Sequence, residues 1–570
     1  MTDPRVYEVL ADSFLQETVD TCFALLGDAN MNWASAMAER GCRFIYVRHE
    51  HCAVAAAMAF ARSTGNPGIA SVTCGPGLTQ VMTALPAAVR ARIPLLIFAG
   101  EAPIKSAWYN QGIDQKPFVD ACGARYVALH HQRSMRQQLR DAFLLMRTER
   151  MPVVVGVPFD LQVELWSESL APMTPSLDLM SEPQPIVPDQ TALAAAARLI
   201  DTAGKVIVMA GLGAVEAGAG PACRMLAEST GALLATTLPA KGLFYEDPYS
   251  LGVAGGFSSD TARKYLSQAD LIIAVGASLA SHNSDSGKLF SADNVLQIDV
   301  DPKLIHQGRV TAATHLCCDA KAGVEALNAA VANRRALAGD GSAQTGAAGA
   351  GYYWRSDAIA EEISGSAADS SHQSAEPGLL DPRQVVTVLD DVIPSAWYTV
   401  NSSGHCSCFF AQMKKRPASR FLTIREFGAI GNGLSFAMGV AAAHGAAEAR
   451  EQEPVVLFDG DGSFLMHIQE LETIVRHQLN ILIVVINDGA YGSEVHKLRA
   501  EGLPEQGSVF GRPNFAAIAQ SFGLYGETVN ELSQLADVVR QFSKRRSATV
   551  IDVHVSDQIV SSVVRRSHPH

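Results

Sequence analysis

Short, unbroken apolar runs recur along the chain, and each is followed by a longer stretch in which apolar residues return at helical spacing. Phe44–Val47, Ile69–Thr73, Pro94–Ala99 and Pro152–Val157 are such runs in the first third. Val206–Met209, Leu271–Val275 and Val295–Val300 follow in the middle, and Val455–Phe458, Ile481–Ile486 and Ala548–Val555 toward the end. Runs without polar alternation read as strands buried on both faces, and strands that alternate with helices give parallel sheets covered on both sides. Two stretches interrupt the pattern. A Pro- and Ser-containing connector runs from about Ser167 to Asp189, and a Gly/Ala/Ser-rich tract from about Ala336 to Pro377 suits a flexible crossing more than a packed core. The expected fold is α/β, with three doubly wound parallel-sheet domains at 1–180, 190–335 and 378–560.

Composition narrows the field without choosing within it. The 570 residues exceed a single core, and 48% apolar with 18% charged residues is ordinary for a soluble globular protein. A net charge of −13 with no basic stripe argues against nucleic acid as a partner. Arg545-Arg546 and Arg565-Arg566 are too short to be basic tracts, and the reading for them is a solvated tail. Neither a secretory pattern at Met1–Arg5 nor a membrane-length apolar run is present, so a cytoplasmic location without membrane contact is expected. The ten cysteines are scattered and are expected to be reduced. Cys317-Cys318 and Cys406-x-Cys408 lack zinc-site spacing, and His49-Glu50-His51 is not an HExxH helix, because position 53 is Ala53.

The chemistry concentrates between Pro454 and Gly492. There a strand runs into Gly460-Asp461-Gly462-Ser463, a helix-like segment follows, and a second strand ends at Asn487. This places Asp461 and Asn487 at the carboxyl ends of strands, where parallel sheets bind ligands. Glycines let a backbone approach an anion, and hard side-chain oxygens suit Mg²⁺ beside a phosphate group. Ser463 is expected to cap its helix and to face the same anion. Far upstream, Arg48-His49-Glu50 precedes an alanine-rich helix, so Glu50 sits at a strand–helix junction, where a capping acid is also a common reading.

Gly-Asp-Gly, 24 residues and then Asn487, together with the Arg-His-Glu segment, resemble the signature of thiamine diphosphate (ThDP)-dependent enzymes of the acetolactate synthase, pyruvate oxidase and benzoylformate decarboxylase superfamily. The resemblance implies pyrimidine-binding, central and diphosphate-binding domains in that order. It implies that Asp461, the Asn487 side chain and the Gly489 carbonyl hold Mg²⁺ on the diphosphate. It assigns Glu50 to the aminopyrimidine ring, as the acid of a general-base relay that removes the thiazolium C2 proton. Gly428-Ala429-Ile430-Gly431 resembles the turn that bends the cofactor, with Ile430 as the apolar wedge and the Gly428 carbonyl as an acceptor. Gly404 and His405 match a diphosphate-contacting loop, alongside Gly460, Gly462 and Ser463. Tyr491 opens a helix that covers the site in relatives. Gln111, in Gln111-Gly112-Ile113-Asp114-Gln115, is a candidate catalytic contact. Cys74-Gly75-Pro76-Gly77-Leu78-Thr79 resembles a GPGxTN turn with Gln80 in place of Asn.

Asp28, Asn30 and His496 are substrate-side candidates, His496 reading equally as a plain surface histidine. The middle block carries Gly211-Leu212-Gly213, a weak nucleotide signal, and lacks the arginine of flavin-binding relatives. It is read as a structural domain, with FAD the lesser alternative. The first functional expectation is an acetolactate synthase-like transferase or lyase, decarboxylating a 2-oxo acid and joining the product to a second carbonyl. The alternatives are a benzaldehyde lyase-like or benzoylformate-type enzyme, then a flavin-dependent oxidoreductase, then a cofactor-binding protein without catalysis, which would have no need of Glu50. The expected assembly is a homodimer or homotetramer, with sites shared between the first domain of one subunit and the third of another.

Overall fold

A computed structural model describes residues 3–182, 184–301, 312–338, 354–365, 367–445 and 453–567. Its strands form three six-stranded parallel sheets. The first contains β1 (Thr21–Ala24), β2 (Arg43–Tyr46), β3 (Gly68–Val72), β4 (Leu95–Glu101), β5 (Arg125–Ala128) and β6 (Pro152–Pro158), in the order β2-β1-β3-β4-β6-β5. The second contains β7 (Val206–Ala210), β8 (Leu233–Thr236), β9 (Ser250–Val253), β10 (Leu271–Val275), β11 (Val295–Asp299) and β12 (Thr314–Cys317), in the order β12-β11-β10-β7-β8-β9. The third contains β13 (Tyr398–Asn401), β14 (Phe421–Leu422), β15 (Val455–Gly460), β16 (Ile481–Asn487), β17 (Tyr525–Val529) and β18 (Thr549–His554). Its order, β14-β13-β15-β16-β18-β17, repeats that of the first sheet strand for strand.

Successive residues of each strand feed opposite cores, as the two-residue period requires. In the first sheet Ala70, Val72, Leu95 and Ile97 face one core, while Ile69, Leu96 and Phe98 face another. The first of these cores does not stop at the domain edge. It continues through Val455, Leu457, Ile481 and Ile483 of the third sheet. Helices Glu50–Thr64 and Gly433–His444 lie between the two sheets and make this shared core. Small residues allow the close fit: a Cβ on Gly439 would stand 2.1 Å from the Ala56 carbonyl oxygen.

Two stretches expected to be loose are partly packed. The part of the Gly/Ala/Ser tract at 339–353 lies outside the described residues, but Trp354 is buried against Tyr265, and helix Asp357–Gly365 rests on the second domain through Ile359 and Ile363. Arg565 and Arg566 are not in a solvated tail. They sit on a C-terminal helix, Ser562–Ser567, and bond Asp369 and the Ser258 carbonyl. Among the described residues no helix is long and apolar enough to cross a membrane.

Replacing Gly439 by Ala should force the two central helices apart, at about 1–3 kcal/mol for overpacking. The check is urea unfolding followed by tryptophan fluorescence. A G439A protein with an unchanged midpoint would contradict the shared-core account.

Candidate active site

In the third sheet the winding direction reverses between β13 and β15, which opens a crevice at the strands' carboxyl ends. The loops after β13, β15 and β16 line a cleft with about 380 Å³ of free space. Gly404, His405, Ile430, Gly460, Asp461, Gly462, Ser463 and Tyr491, all singled out in the sequence, border it together. Among the described residues it is lined by the third domain alone.

The cleft is acidic. Burial, and then the neighbouring Asp488 carboxylate, push Asp461 well above the usual carboxylate range. Asp459, buried at the end of the same strand, is pushed up to about 7 by burial. Asp488 and Glu494 add to the lining, which includes no lysine or arginine. A diphosphate alone would be repelled here, whereas a divalent cation would reverse the sign. The donors fit such an ion. Asn487 is fully buried, its Nδ2 donates to Asp552 and the Pro513 carbonyl, and its Oδ1 has no hydrogen-bond partner. The Asp461 carboxylate accepts from the Gly462 and Gly489 N–H groups, one on each oxygen, which leaves lone pairs on both. The Gly489 carbonyl is different: it accepts from Phe510 N and Gly511 N, both at 3.0 Å, so its two lone pairs are occupied in this conformation.

Ser463 is the third helical residue after Gly460, and rather than capping its helix it accepts from Gly431 N at 2.8 Å. It thereby ties the Gly428–Gly431 turn to the Asp461 helix. His467, not singled out in the sequence, holds the same turn from below, with Nδ1 donating to the Gly431 carbonyl at 2.8 Å. Gly428 is exposed and left-handed at φ +72°, while Ile430 is half-buried above Gly404. The Tyr491 ring lies over Gly462, where a Cβ would meet it at 2.6 Å. His496, on helix Gly492–Ala500, is buried with its ring 4.6 Å from that of His405, which is not the position of a surface histidine.

The first sheet reverses between β1 and β3, and a second cluster stands at that equivalent crevice. Glu50 opens its helix there, beside Gly77 of the Gly-Pro-Gly turn, and burial raises its carboxyl above the ordinary value. Gln111 accepts from the Cys74 thiol, and Gln115 accepts from Gly75 N, so the 111–115 segment is clipped to that turn. Asp28 is exposed next to Tyr109, while Asn30 is buried and consumed by its own loop. Asn30 Oδ1 accepts from Gly27 N, and its Nδ2 donates to Leu25 O and Ser71 Oγ, which leaves nothing for a substrate.

A polar seam fixes the start of the Glu50 helix on the third domain of the same chain. Arg48 N donates to Glu470, His51 Nε2 donates to Asn432 Oδ1 at 2.6 Å, and the His51 and His467 rings stack at 4.9 Å. These partners were invisible in sequence because they lie hundreds of residues apart. In the central domain Gly211 and Gly276 are accounted for by two turns packed on each other: a Cβ on Gly211 would stand 2.2 Å from the Gly276 carbonyl.

Burial holds His51 at about 4, below its ordinary 6.5, and burial with the Arg476 charge holds His477 at about 4. As pH falls through 6.5 the unfolded chain takes up these protons while the folded chain does not, so stability is lost between 6.5 and about 4. Thermal unfolding across that window should show the fall, and His51→Gln should make it shallower. An identical slope in the variant would remove His51 as a cause.

Three family profiles match the chain in the order of its sheets. They are the N-terminal TPP binding domain of thiamine pyrophosphate enzymes at residues 4–123, the central domain at 193–327, and the C-terminal TPP binding domain at 402–553. Among curated proteins, the chain is 28% identical to the acetolactate synthase large subunit of Parasynechococcus marenigrum (strain WH8102), over 96% of this chain and 86% of the relative. It is 27% identical to acetolactate synthase 2, chloroplastic, of Nicotiana tabacum, over 97% and 82%. It is 28% identical to acetolactate synthase 3, chloroplastic, of Brassica napus, over 96% and 83%. With its three domains matched in order and its two crevices furnished as described, the chain belongs to the thiamine diphosphate-dependent enzymes.

Proposed function

We propose that the protein is an acetolactate synthase-like enzyme that uses ThDP and Mg²⁺ to decarboxylate a 2-oxo acid and join the remaining fragment to a second carbonyl compound. The observation that carries the cofactor half of this reading is the buried, unpartnered Asn487 Oδ1 at the carboxyl end of β16, between Ile486 and Asp488, which line the same cleft as Asp461. The relatives' names support the reaction half. When bound, ThDP supplies a thiazolium that takes up the electron pair of a C–C bond broken next to a carbonyl.

The chain's own share is positional and electrostatic. Asp461 and Asn487 would hold the metal, and Gly404, His405 and Gly462, which border the cleft, would receive the diphosphate. Ile430, also on the cleft wall, would give the cofactor an apolar support. Glu50, its charged form disfavoured by burial, holds a proton against the pyrimidine nitrogen and passes it to and fro. Gln111 and Asp28 stand on the substrate side. The cleft is lined by one domain and the Glu50 cluster by another, which supports assembly of complete sites between copies of the chain, in a homodimer or a homotetramer built from it.

A second reading has its own support. The loop beside Gln111 exposes Ile104, Trp108 and Ile113, with Trp108 78% exposed, an apolar wall suited to an aromatic aldehyde or 2-oxo acid of the benzaldehyde lyase or benzoylformate kind. The test is CO₂ release from pyruvate by protein reconstituted with Mg²⁺ and ThDP, with product analysis. The expected result is release with acetolactate formation, reduced about 10²–10⁴-fold in Glu50→Gln. Turnover of benzoylformate or of an aromatic acyloin, with none of pyruvate, would transfer the assignment to the second reading.

A further inference from the structure

His405 has one ring nitrogen committed. The Ser561 backbone N–H donates to its Nε2 at 3.0 Å in a buried setting. A backbone amide can only donate, so Nε2 is the acceptor and the proton of the neutral ring resides on Nδ1. Nδ1 lies on the side of Asp488, another residue of the cleft wall, 4.0 Å from its carboxylate and too far for a hydrogen bond. The ring is pinned edge-on by Phe409 at 4.9 Å and His496 at 4.6 Å, so the donor direction is fixed.

Ser561 belongs to a strap that runs from Asp557 to Ser567 and bonds the helix over the cleft, the segment before the third domain, and the central domain. Arg499, on the helix over the site, donates to the Asp557 carboxylate and carbonyl, both at 2.7 Å. Val560 and Gln373 exchange two hydrogen bonds, Val560 N to Gln373 Oε1 at 2.7 Å and Gln373 Nε2 to the Val560 carbonyl at 3.0 Å. Arg565 bonds Asp369 at 2.9 Å, and Arg566 bonds the Ser258 carbonyl of the central domain at 2.9 Å.

We propose that the C-terminal strap is a positioning element for the cofactor's diphosphate: the Ser561 N–H locks His405 in the Nδ1–H tautomer, so that the ring presents a donor, rather than a lone pair, to a phosphate oxygen. The inference rests on the ThDP reading above. It makes Ser561 a positioning residue acting through His405, and it makes the central domain, through Arg566, a structural support of the diphosphate cleft. A hydrogen-bond donor suits this place, because an anion must be received in a cleft that already holds several carboxylates.

The experiment is titration of the full-length apo-protein with ThDP at saturating Mg²⁺, followed by quenching of intrinsic fluorescence. Ser561→Pro, which removes the N–H, should raise the ThDP dissociation constant about tenfold, the effect of one lost hydrogen bond to an anion. Ser561→Ala, which keeps the N–H, should restore most of the affinity. In a His405→Asn background, where a side-chain amide donates without help from the strap, Ser561→Pro should add nothing. A purely structural role for Ser561 would multiply the two losses and overturn the proposal, as would wild-type affinity in Ser561→Pro. Should Ser561→Pro not yield folded protein, Arg566→Gln decides, a weakened ThDP affinity supporting the strap and an unchanged one overturning it. Failure of the wild type itself to bind ThDP would overturn the cofactor reading and this inference together. Normal wild-type binding with an unaffected Ser561→Pro overturns the strap alone.

Discussion

Two sheets in this chain reverse their winding direction at equivalent places, and everything chemical depends on those two reversals. A parallel sheet has its loops after the strands' carboxyl ends, and where neighbouring connections leave in opposite directions those loops part and leave a crevice. The first and third sheets have the same strand order, so each makes one such crevice. One receives Glu50, Gln111 and Asp28, and the other receives Asp461, Asn487 and His405. Neither group is a complete site by composition. Under the proposed reading the third-domain cleft would supply the metal and diphosphate contacts, and the first-domain cluster, through Glu50, the acid for the pyrimidine ring.

The charge balance explains why the two halves differ. Asp461 and Asp488 line one crevice that has no lysine or arginine in its lining, Asp459 is buried near the end of β15, and burial raises Asp459 and Asp461 well above ordinary carboxylates. Such a cluster is costly to charge without a cation beside it, which supports the proposed pairing of a metal with the diphosphate there. Around it, backbone-directed contacts fix the geometry: Ser463 and His467 clasp Gly431, and the strap holds His405. The shared core between the central helices carries this precision to the Glu50 helix start, through Arg48 and His51.

The family and its three sheets were legible in the sequence for a local reason. Asp461 and Asn487 are separated by two short helices and one strand, so their spacing brings them to the same sheet end, and Glu50 follows its strand closely. What was illegible is non-local. The edge strands β5, β12 and β17 are short and half-exposed, so they lack the apolar runs that revealed β4 and β16. Asn30 shared a loop with Asp28 in sequence, yet its side chain turned inward to satisfy that loop's own backbone. Ser463 was expected to cap its helix, but the helix begins two residues earlier and the hydroxyl accepts from Gly431 N instead. The Gly489 carbonyl, a metal ligand by resemblance, spends both lone pairs on Phe510 and Gly511 in this conformation. Arg565 and Arg566 looked like tail residues because their partners, Asp369 and the Ser258 carbonyl, are supplied by other domains.

The central claim is that the two crevices make one active site only when first and third domains from different copies meet. Mixing two inactive variants tests it directly: a Glu50→Gln chain and an Asn487→Ala chain, each pure and then co-refolded in equal amounts. Sites shared across subunits leave each mixed dimer with one site free of both lesions, so about a quarter of wild-type activity should return, since half the dimers are mixed. Sites confined to single chains would carry one lesion each in every dimer, and the mixture would stay inactive.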